Sequence, residues 1–218
     1  MTQGMLFSQM TPPRGREDEF HSWYNTDHIP ARMDLAGFAA ANRYENDEHP
    51  GNFLAVYDLS DLGVLETPEY QQLKREPSAL THDMLNSVSG FTRYTTELIF
   101  ETSPRPVHDA FLYVVAFDVP EVAEEEFHGW YEEEHIPLLM KVPGWRAVRR
   151  FVTRGSYDGP AITHFALHYL DSLDALEAPE RDAARDTPRR EALAGQPWFS
   201  ALRWVYRPIF HAASRKDN

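Results

Sequence analysis

Two stretches of this chain are nearly identical and lie almost half the chain apart. Residues 19–30 read EFHSWYNTDHIP and residues 126–137 read EFHGWYEEEHIP, with eight of twelve positions identical at an offset of 107. In a chain of 218 residues, this offset predicts two copies of one module of about 105 residues, an ordinary domain size. Each copy continues with a glycine–aromatic and then a basic–aromatic pair, namely Gly37-Phe38 and Arg43-Tyr44 in copy one, and Gly144-Trp145 and Arg150-Phe151 in copy two.

The hydrophobic pattern predicts the same order of elements, β-α-β-β-α-β, in both copies. In copy two we expect strands at 111–119, 145–153, 164–170 and 198–210, with helices at 121–135 and at 171–193, the latter interrupted by Pro179 and Pro188. In copy one we expect strands at 4–10, 39–45, 53–59 and 91–100, a helix at 17–35 with a break, and an interrupted helix at 65–87.

A β-α-β-β-α-β module is the ferredoxin-like unit, whose four-stranded sheet carries helices on one face only. The open face needs a cover, and a second copy supplies one. The predicted fold class is therefore α+β, with two tandem ferredoxin-like βαββαβ modules whose antiparallel sheets pack face to face into an α+β barrel. We place the modules at residues 1–103 and 104–218, with Glu101–Val107 as the linker because it contains Pro104 and Pro106.

The composition excludes several classes of function. The chain has no cysteine, which excludes disulfides, thiolate nucleophiles and Cys-ligated metal sites. Its 21 Lys and Arg against 34 Asp and Glu give a net charge of -13, which disfavours nucleic acid as a partner. No apolar segment approaches membrane-spanning length and no export signal is visible, so we expect no membrane partner and a cytoplasmic location. The acidic runs 124–126 and 132–134 read as solvated helix faces.

The repeated motif singles out His28 and His135 as candidate catalytic residues. Each follows a Trp-Tyr pair by one helical turn and precedes Ile-Pro, and proline disfavours helical geometry at the residue before it. We therefore expect each helix to break or kink there, with the histidine in its last turn, where the macrodipole favours the charged ring. Beside Tyr24 or Tyr131, such a histidine could serve as a proton donor or acceptor. The alternative is that it caps helix carbonyls while the aromatic residues anchor the helix.

Other side chains are candidates for substrate binding. His164 and His168 alternate on one predicted strand and have no histidine counterpart in copy one, which suggests that the copies differ and that copy two has the stronger site. Tyr57 and Tyr113 could line the same space. Arg43 and Arg150 could hold a carboxylate or an enolate.

We expect neither a metal nor an organic cofactor. His21 and His28 stand about 10 Å apart along a helix, too far to ligate one ion. The chain also has no glycine-rich phosphate loop and no nucleophile-elbow motif.

The motif F-H-x-W-Y-x-x-x-H-I-P, followed by P-G-W-x-x-x-x-R-F, resembles the EthD-like family of the dimeric α+β-barrel superfamily. The resemblance covers both copies, although copy one has Ala36 where copy two has Pro143. Relatives include cofactor-free cyclases, isomerases, decarboxylases, small monooxygenases and some haem enzymes. In several of them a histidine at the end of the first helix handles substrate protons. The resemblance implies this role for His28 and His135, with Tyr24 and Tyr131 beside them.

The leading hypothesis is a cofactor-independent lyase, isomerase or cyclase that uses histidine-mediated proton transfer on a small cyclic or aromatic metabolite. One alternative is a cofactor-free monooxygenase of phenolic substrates. The other is a non-catalytic barrel that binds a small ligand. The expected partner is a small hydrophobic or aromatic substrate, and a homodimer is possible.

Overall fold

The computed structural model describes residues 2–103, 107 and 109–214. The strands are β1 (Gly4–Thr11), β2 (Phe38–Asn46), β3 (Phe53–Leu59), β4 (Ser89–Glu101), β5 (Phe111–Phe117), β6 (Trp145–Tyr157), β7 (His164–Leu170) and β8 (Leu202–Ala213). The α-helices are α1 (Glu17–Trp23), α2 (Ile29–Met33), α3 (Pro68–Arg75), α4 (Ala79–Ser87), α5 (Glu124–Trp130), α6 (Ile136–Leu139), α7 (Pro179–Arg185) and α8 (Pro188–Ala194). Short 3-10 turns lie at Leu62–Glu66, Glu121–Ala123 and Leu173–Leu176.

The strands form where the chain is rich in β-branched and aromatic residues. All seven residues of β7 are buried, as are all but the first of β5, which fits their continuous apolar sequences. The bounds of β3 and β7 agree with the prediction. The last strand begins at Leu202 instead of residue 198, because the side chains of Trp198 and Phe199 pack against the copy-two core before the strand starts.

Prolines begin the helices in the second half of each copy. Pro68, Pro179 and Pro188 each occupy the first position, where the missing N–H has no intrahelical partner to lose. Side-chain oxygens cap three of these four helices. They belong to Thr67, Ser78 and Thr187.

The described residues form two compact units. The copy-one unit contains residues 2–97, 154–159 and 208–214, and the copy-two unit contains the described residues of Leu98–Thr153 and Pro160–Arg207. Copy one has the antiparallel order β2-β3-β1-β4, with Gly4 opposite Leu59, and copy two has β8-β5-β7-β6, with Phe111 opposite Leu170. Each unit thus has one four-stranded antiparallel sheet, in agreement with the predicted α+β class of two ferredoxin-like modules. The boundary near residue 104 and part of the linker lie outside the described residues, so they stay predictions.

Each unit has its own aromatic core under the repeated motif. In copy one, Phe20, Trp23 and Tyr24 pack with strand residues such as Phe53. In copy two, Phe127, Trp130 and Tyr131 occupy the equivalent places. None of the helices in the described part of the chain is both long and apolar enough to cross a membrane.

Candidate active site

The repeated motif forms a π-helical turn in each copy. Residues Tyr24–His28 and Tyr131–His135 are wound more widely than an α-helix, and the N–H of the following isoleucine bonds the tyrosine carbonyl five residues back. Such turns occur often at functional sites. The tyrosine and the histidine of each turn are four residues apart, and both line the cavity of their unit.

The helix therefore continues past the proline in both copies. A break within residues 17–35 was predicted for copy one, whereas the predicted end at residue 135 in copy two is wrong. Ile29 has right-handed helical angles and α2 continues to Met33, with α6 in the same role in copy two. A proline in an α-helix lacks an N–H and crowds the carbonyl four residues back. The wider turn immediately before Pro30 accommodates both effects.

A cavity in the copy-one unit has a volume of about 560 Å³. This volume lies within the range of sites for small organic molecules. Its lining has both apolar and polar residues. The residues include Leu6, Met10, Tyr24, His28, Arg32, Tyr57, Leu65, Tyr70, Phe91 and Arg93.

His28 lies in the wall of this cavity and is buried. Its ring is 4.5 Å from the Trp23 ring and 4.8 Å from the Tyr24 ring, measured between centroids. Its Nδ1 has no hydrogen-bond partner among the described residues. Burial, followed by the charges of Arg32, Arg43 and Arg93, holds the pKa of His28 well below 6.5. The ring is therefore neutral at pH 7, contrary to the charged state that the helix-end argument predicted.

Tyr57 also lines the copy-one cavity. Its hydroxyl lies near that of Tyr24 but makes no hydrogen bond of normal geometry. Burial raises the pKa of both phenols, that of Tyr57 most strongly, and the neighbouring Tyr24 raises it further. Both side chains are therefore neutral potential donors.

Four charged side chains of the described part of the chain line the copy-one cavity, namely the basic Arg32, Lys74 and Arg93 and the acidic Glu66. The Nη1 of Arg32 donates to the His28 carbonyl oxygen at 2.9 Å, and the Nη2 of Arg93 donates to the Tyr70 hydroxyl at 2.7 Å. Sequence reasoning missed both arginines. Arg32 follows His28 by four residues and so lies on the same helix face. Phe91, Arg93 and Thr95 are every second residue of β4, and all three line the cavity. This two-residue period is a signal that could have identified Arg93.

Arg43 and Arg150, predicted to bind substrate, lie outside the cavities of their units. Each guanidinium stacks on the motif tyrosine, Arg43 at 4.3 Å from the Tyr24 centroid and Arg150 at 4.5 Å from that of Tyr131. Asn25 accepts a hydrogen bond from Arg43 at 2.7 Å, and Glu132 accepts one from Arg150. Each guanidinium thus packs against the motif tyrosine, and substrate binding by Arg43 and Arg150 stays a prediction.

His135 lies in the wall of the copy-two cavity. Its Nδ1 hydrogen-bonds the Ala184 carbonyl at 3.0 Å, which requires a proton on Nδ1, and its ring stacks on Trp130 with centroids 4.6 Å apart. Burial lowers the pKa of His135 to about 4, although the bond to Ala184 opposes the shift. The neutral ring therefore keeps Nε2 as an acceptor.

His168 lies in the wall of the same cavity, and His164 does not. The Nε2 of His168 is 3.3 Å from the Tyr131 hydroxyl, and its ring lies beside Tyr113 and Trp145. His164 instead hydrogen-bonds Thr163 at 2.9 Å, next to the ring of His128. The structure thus groups His135, Tyr131, His168 and Tyr113, and leaves His164 apart.

The two cavities differ greatly in size. The copy-two cavity measures about 40 Å³, whereas a cavity of about 150 Å³ is needed to enclose benzene. The volumes therefore do not favour the expectation that copy two has the stronger site for an aromatic substrate. No group of three or more histidine, aspartate or glutamate side chains in the described part of the chain is placed to hold a metal ion.

The fold and the paired tyrosine–histidine turns define an α+β barrel protein with an EthD-type motif. Comparison with known families supports this class directly, since residues 119–188 match the EthD domain. This match confirms the EthD-like resemblance. It lies within copy two, and the equivalence of copy one depends on the internal repeat.

Several solved structures share the fold over nearly the whole chain. An anthrone oxidase-like protein aligns with a TM-score of 0.69 and 13% identity, covering 100% of this chain and 96% of its own. A candidate monooxygenase from Lactobacillus acidophilus NCFM aligns with a TM-score of 0.64 and 10% identity, covering 98% of this chain and 97% of its own. Another candidate monooxygenase, from Fusobacterium nucleatum, aligns with a TM-score of 0.66 and 8% identity, covering 97% of this chain and 94% of its own. At such identities the likeness shows the fold alone. No curated protein matches this sequence.

Proposed function

We propose that the protein is a cofactor-independent enzyme that removes a proton from a small aromatic or cyclic substrate bound in the copy-one cavity. One observation carries the proposal. The buried His28 ring, whose Nδ1 has no hydrogen-bond partner among the described residues, lies in the wall of a cavity of about 560 Å³ that has both apolar and polar lining residues. A neutral imidazole in the wall of such a pocket is suited to accept a proton from a bound ligand.

The chemistry begins with transfer of a substrate proton to His28. The bonding electron pair stays on the substrate, which becomes an enolate or phenolate. Among the described residues, three basic side chains and one carboxylate line the same cavity, namely those of Arg32, Lys74, Arg93 and Glu66. Their net positive charge favours such an anion. Return of the proton to a different atom gives an isomerisation, and departure of a leaving group gives an elimination. Tyr57, a neutral donor, can hydrogen-bond the developing oxyanion.

A cofactor-free oxidation is the second candidate, and the solved structures favour it. The similar proteins include one described as anthrone oxidase-like and two candidate monooxygenases. The same proton transfer would produce an electron-rich anion able to react with dioxygen. Oxidation of a CH₂ group to a ketone would consume one O₂ and release one water. The first step at His28 is common to both candidates.

Hydrogen–deuterium exchange tests the shared step. In D₂O under argon, NMR would follow deuterium incorporation into anthrone, phenolic ketones and unsaturated lactones. We expect His28→Ala to slow exchange by about 10²-fold or more, the usual contribution of a general base. His49→Ala is the matched control, because His49 is exposed and does not line the cavity.

Three results separate the possibilities. Exchange without oxygen uptake supports the isomerase or lyase type, and oxygen uptake in air, measured with an electrode, supports the oxidase type. Saturable binding of these compounds without any exchange would identify a non-catalytic binding protein. Equal exchange rates in His28→Ala and the parent protein would contradict the assignment of the base. The catalytic roles of Tyr24, Tyr131 and His135 stay predictions.

A further inference from the structure

Four arginines surround the copy-two cavity without acidic partners. Arg181 and Arg185 extend from α7, Arg190 from α8 and Arg203 from β8. Within the described ranges, none of the four guanidinium groups has a carboxylate oxygen within 4.0 Å. This is a concentrated positive charge in a protein whose net charge is -13.

The protein itself satisfies only part of the hydrogen-bonding capacity of these groups. Arg181, Arg190 and Arg203 donate to the carbonyl oxygens of Leu176, Arg185 and Ala201, respectively. Each guanidinium has five N–H donors, so most of them remain available. Burial lowers the pKa of Arg190, and repulsion from Arg185 and Arg203 lowers it further. A bound anion would relieve this repulsion.

Three residues that line the same cavity also have a buried ring nitrogen without a hydrogen-bond partner among the described residues. These nitrogens are Nε1 of Trp130, Nε1 of Trp145 and Nδ1 of His168, and their residues are 2%, 5% and 1% exposed. The indole groups are donors only. If the Nε2 of His168 accepts from the Tyr131 hydroxyl, its Nδ1 carries the proton and is a donor too. Buried polar groups are normally hydrogen-bonded, so this set of donors indicates an acceptor that the described part of the chain does not supply.

The equivalent indole in copy one has its acceptor within the chain. Trp23 donates through Nε1 to Thr81 Oγ1 at 2.9 Å. Thr81 is the third residue of α4, and its N–H donates to the side chain of the cap residue Ser78. Arg190 is the third residue of α8, and its N–H donates in the same way to the cap residue Thr187. Copy two thus has a positively charged donor where copy one has a hydroxyl acceptor. Trp130 and Arg190 would both be satisfied by one anion.

We propose that the copy-two cavity is a binding site for a small oxyanion, most simply a carboxylate group. Its volume of about 40 Å³ suits a group the size of a few water molecules, each of which needs roughly 10–15 Å³. Guanidinium groups bind carboxylates through paired charge-assisted hydrogen bonds. The carboxylate comes either from a free small anion or from the head of a larger aromatic acid. The site is separate from the copy-one cavity used in the proposed function.

Isothermal titration calorimetry on the full chain, in zwitterionic buffer, tests the proposal with sodium formate and sodium benzoate as probes. We expect saturable binding that Arg190→Gln weakens by at least tenfold. Arg189→Gln is the matched control, because it removes the same charge from the neighbouring position, where the side chain pairs with Glu133 instead. That control should leave the Kd within about twofold of the parent value.

The two probes distinguish the sources of the anion. Formate binding as tightly as benzoate supports a free small anion, and much tighter benzoate binding supports the head group of an aromatic acid. Absence of saturable binding of either probe overturns the proposal, as does an unchanged Kd in Arg190→Gln.

Two further variants keep the test decisive if Arg190→Gln does not fold, as judged by circular dichroism. Arg203→Gln changes an exposed residue at the rim, and Trp145→Phe removes an N–H donor while retaining an aromatic ring. Each should weaken binding of the better probe at least severalfold. Parent-like affinity in both folded variants would overturn the site.

Discussion

Arg43 shows how one buried charge supports the motif tyrosine. The side chain is 1% exposed, stacks on Tyr24 and donates to Asn25. Lysine has a compact, strongly hydrated charge and cannot reproduce the planar stack. We expect Arg43→Lys to lower the free energy of unfolding by about 2 kcal/mol, the scale of a lost charged hydrogen bond. Urea unfolding measures this change.

Arg154→Lys provides the control for that prediction. Arg154 forms an exposed ion pair with Glu97 at 2.7 Å, and such pairs contribute about 0–1 kcal/mol. The control should therefore change stability by less than about 0.5 kcal/mol. Equal losses in the two variants would contradict a specific role for the stacked guanidinium.

The motif residues could be predicted from the sequence, but their charge states could not. The helix macrodipole contributes about 0.3–1 kcal/mol. By contrast, lowering the pKa of His135 from 6.5 to about 4 corresponds to about 3 kcal/mol, and burial is the main cause. Burial depends on residues remote in sequence. The surroundings of Glu132 also depend on a residue remote in sequence. Its carboxylate was expected to be solvated, but it pairs with the buried Arg150, 18 residues away.

At the scale of elements, two equivalent glycines precede β2 and β6 in different surroundings. Gly37 and Gly144 both have positive φ, +90° and +80°. A Cβ at Gly37 would overlap the Val64 side chain, whereas one at Gly144 would meet only Ala175 and Asp171 at 3.7 and 3.8 Å. Both substitutions by alanine incur backbone strain of about 1 kcal/mol. We expect Gly37→Ala to be more destabilising than Gly144→Ala by at least about 1 kcal/mol, because of the overlap.

Thermal and urea unfolding of the two glycine variants would measure this difference. The pair is well matched, since the substitution and the backbone conformation are the same. A larger loss for Gly144→Ala would show that the overlap with Val64 is relieved by local movement.

The order of the strands and helices followed from the sequence, because hydrophobic period and turn residues are local signals. The π turns at Tyr24–His28 and Tyr131–His135 did not, since the sequence before a proline fits a helix end equally well. The two cavities were also beyond sequence reasoning. Their volumes depend on how side chains from the second pair of helices, such as Tyr70 in one unit and Arg181 in the other, fill the space beside the motif.

At the scale of the whole molecule, the repeat has diverged in chemistry while retaining its elements. Copy one has a roomy cavity with apolar and polar lining residues beside His28, and copy two has a small cavity rich in arginine beside His135. The equivalent strand positions carry Tyr57 and His168. A fused repeat permits such divergence, because each copy can change its side chains separately. The proposed base and the proposed anion site therefore occupy different units of one chain.

The buried histidines predict a specific acid sensitivity of the whole fold. Burial lowers the pKa of His28, His135 and His168 in the folded protein. In the unfolded chain these histidines have a pKa of about 6.5, so below that pH they bind protons more readily there than in the folded protein. Stability is therefore complete above pH 6.5 and falls as the pH drops. For His135, whose folded pKa is about 4, the loss between pH 7.5 and 5.5 is about 1.4 kcal/mol.

Urea unfolding in zwitterionic buffer at pH 7.5, 6.5 and 5.5 would test this prediction, over a range in which ordinary carboxylates stay ionised. His135→Gln should lose about 1.4 kcal/mol less than the parent protein across the range, whatever its stability at pH 7.5. His49→Gln, changed at an exposed position, should follow the parent curve. Parallel pH curves for His135→Gln and the parent would show that His135 titrates alike in the folded and unfolded chain, which would contradict its burial as a neutral ring.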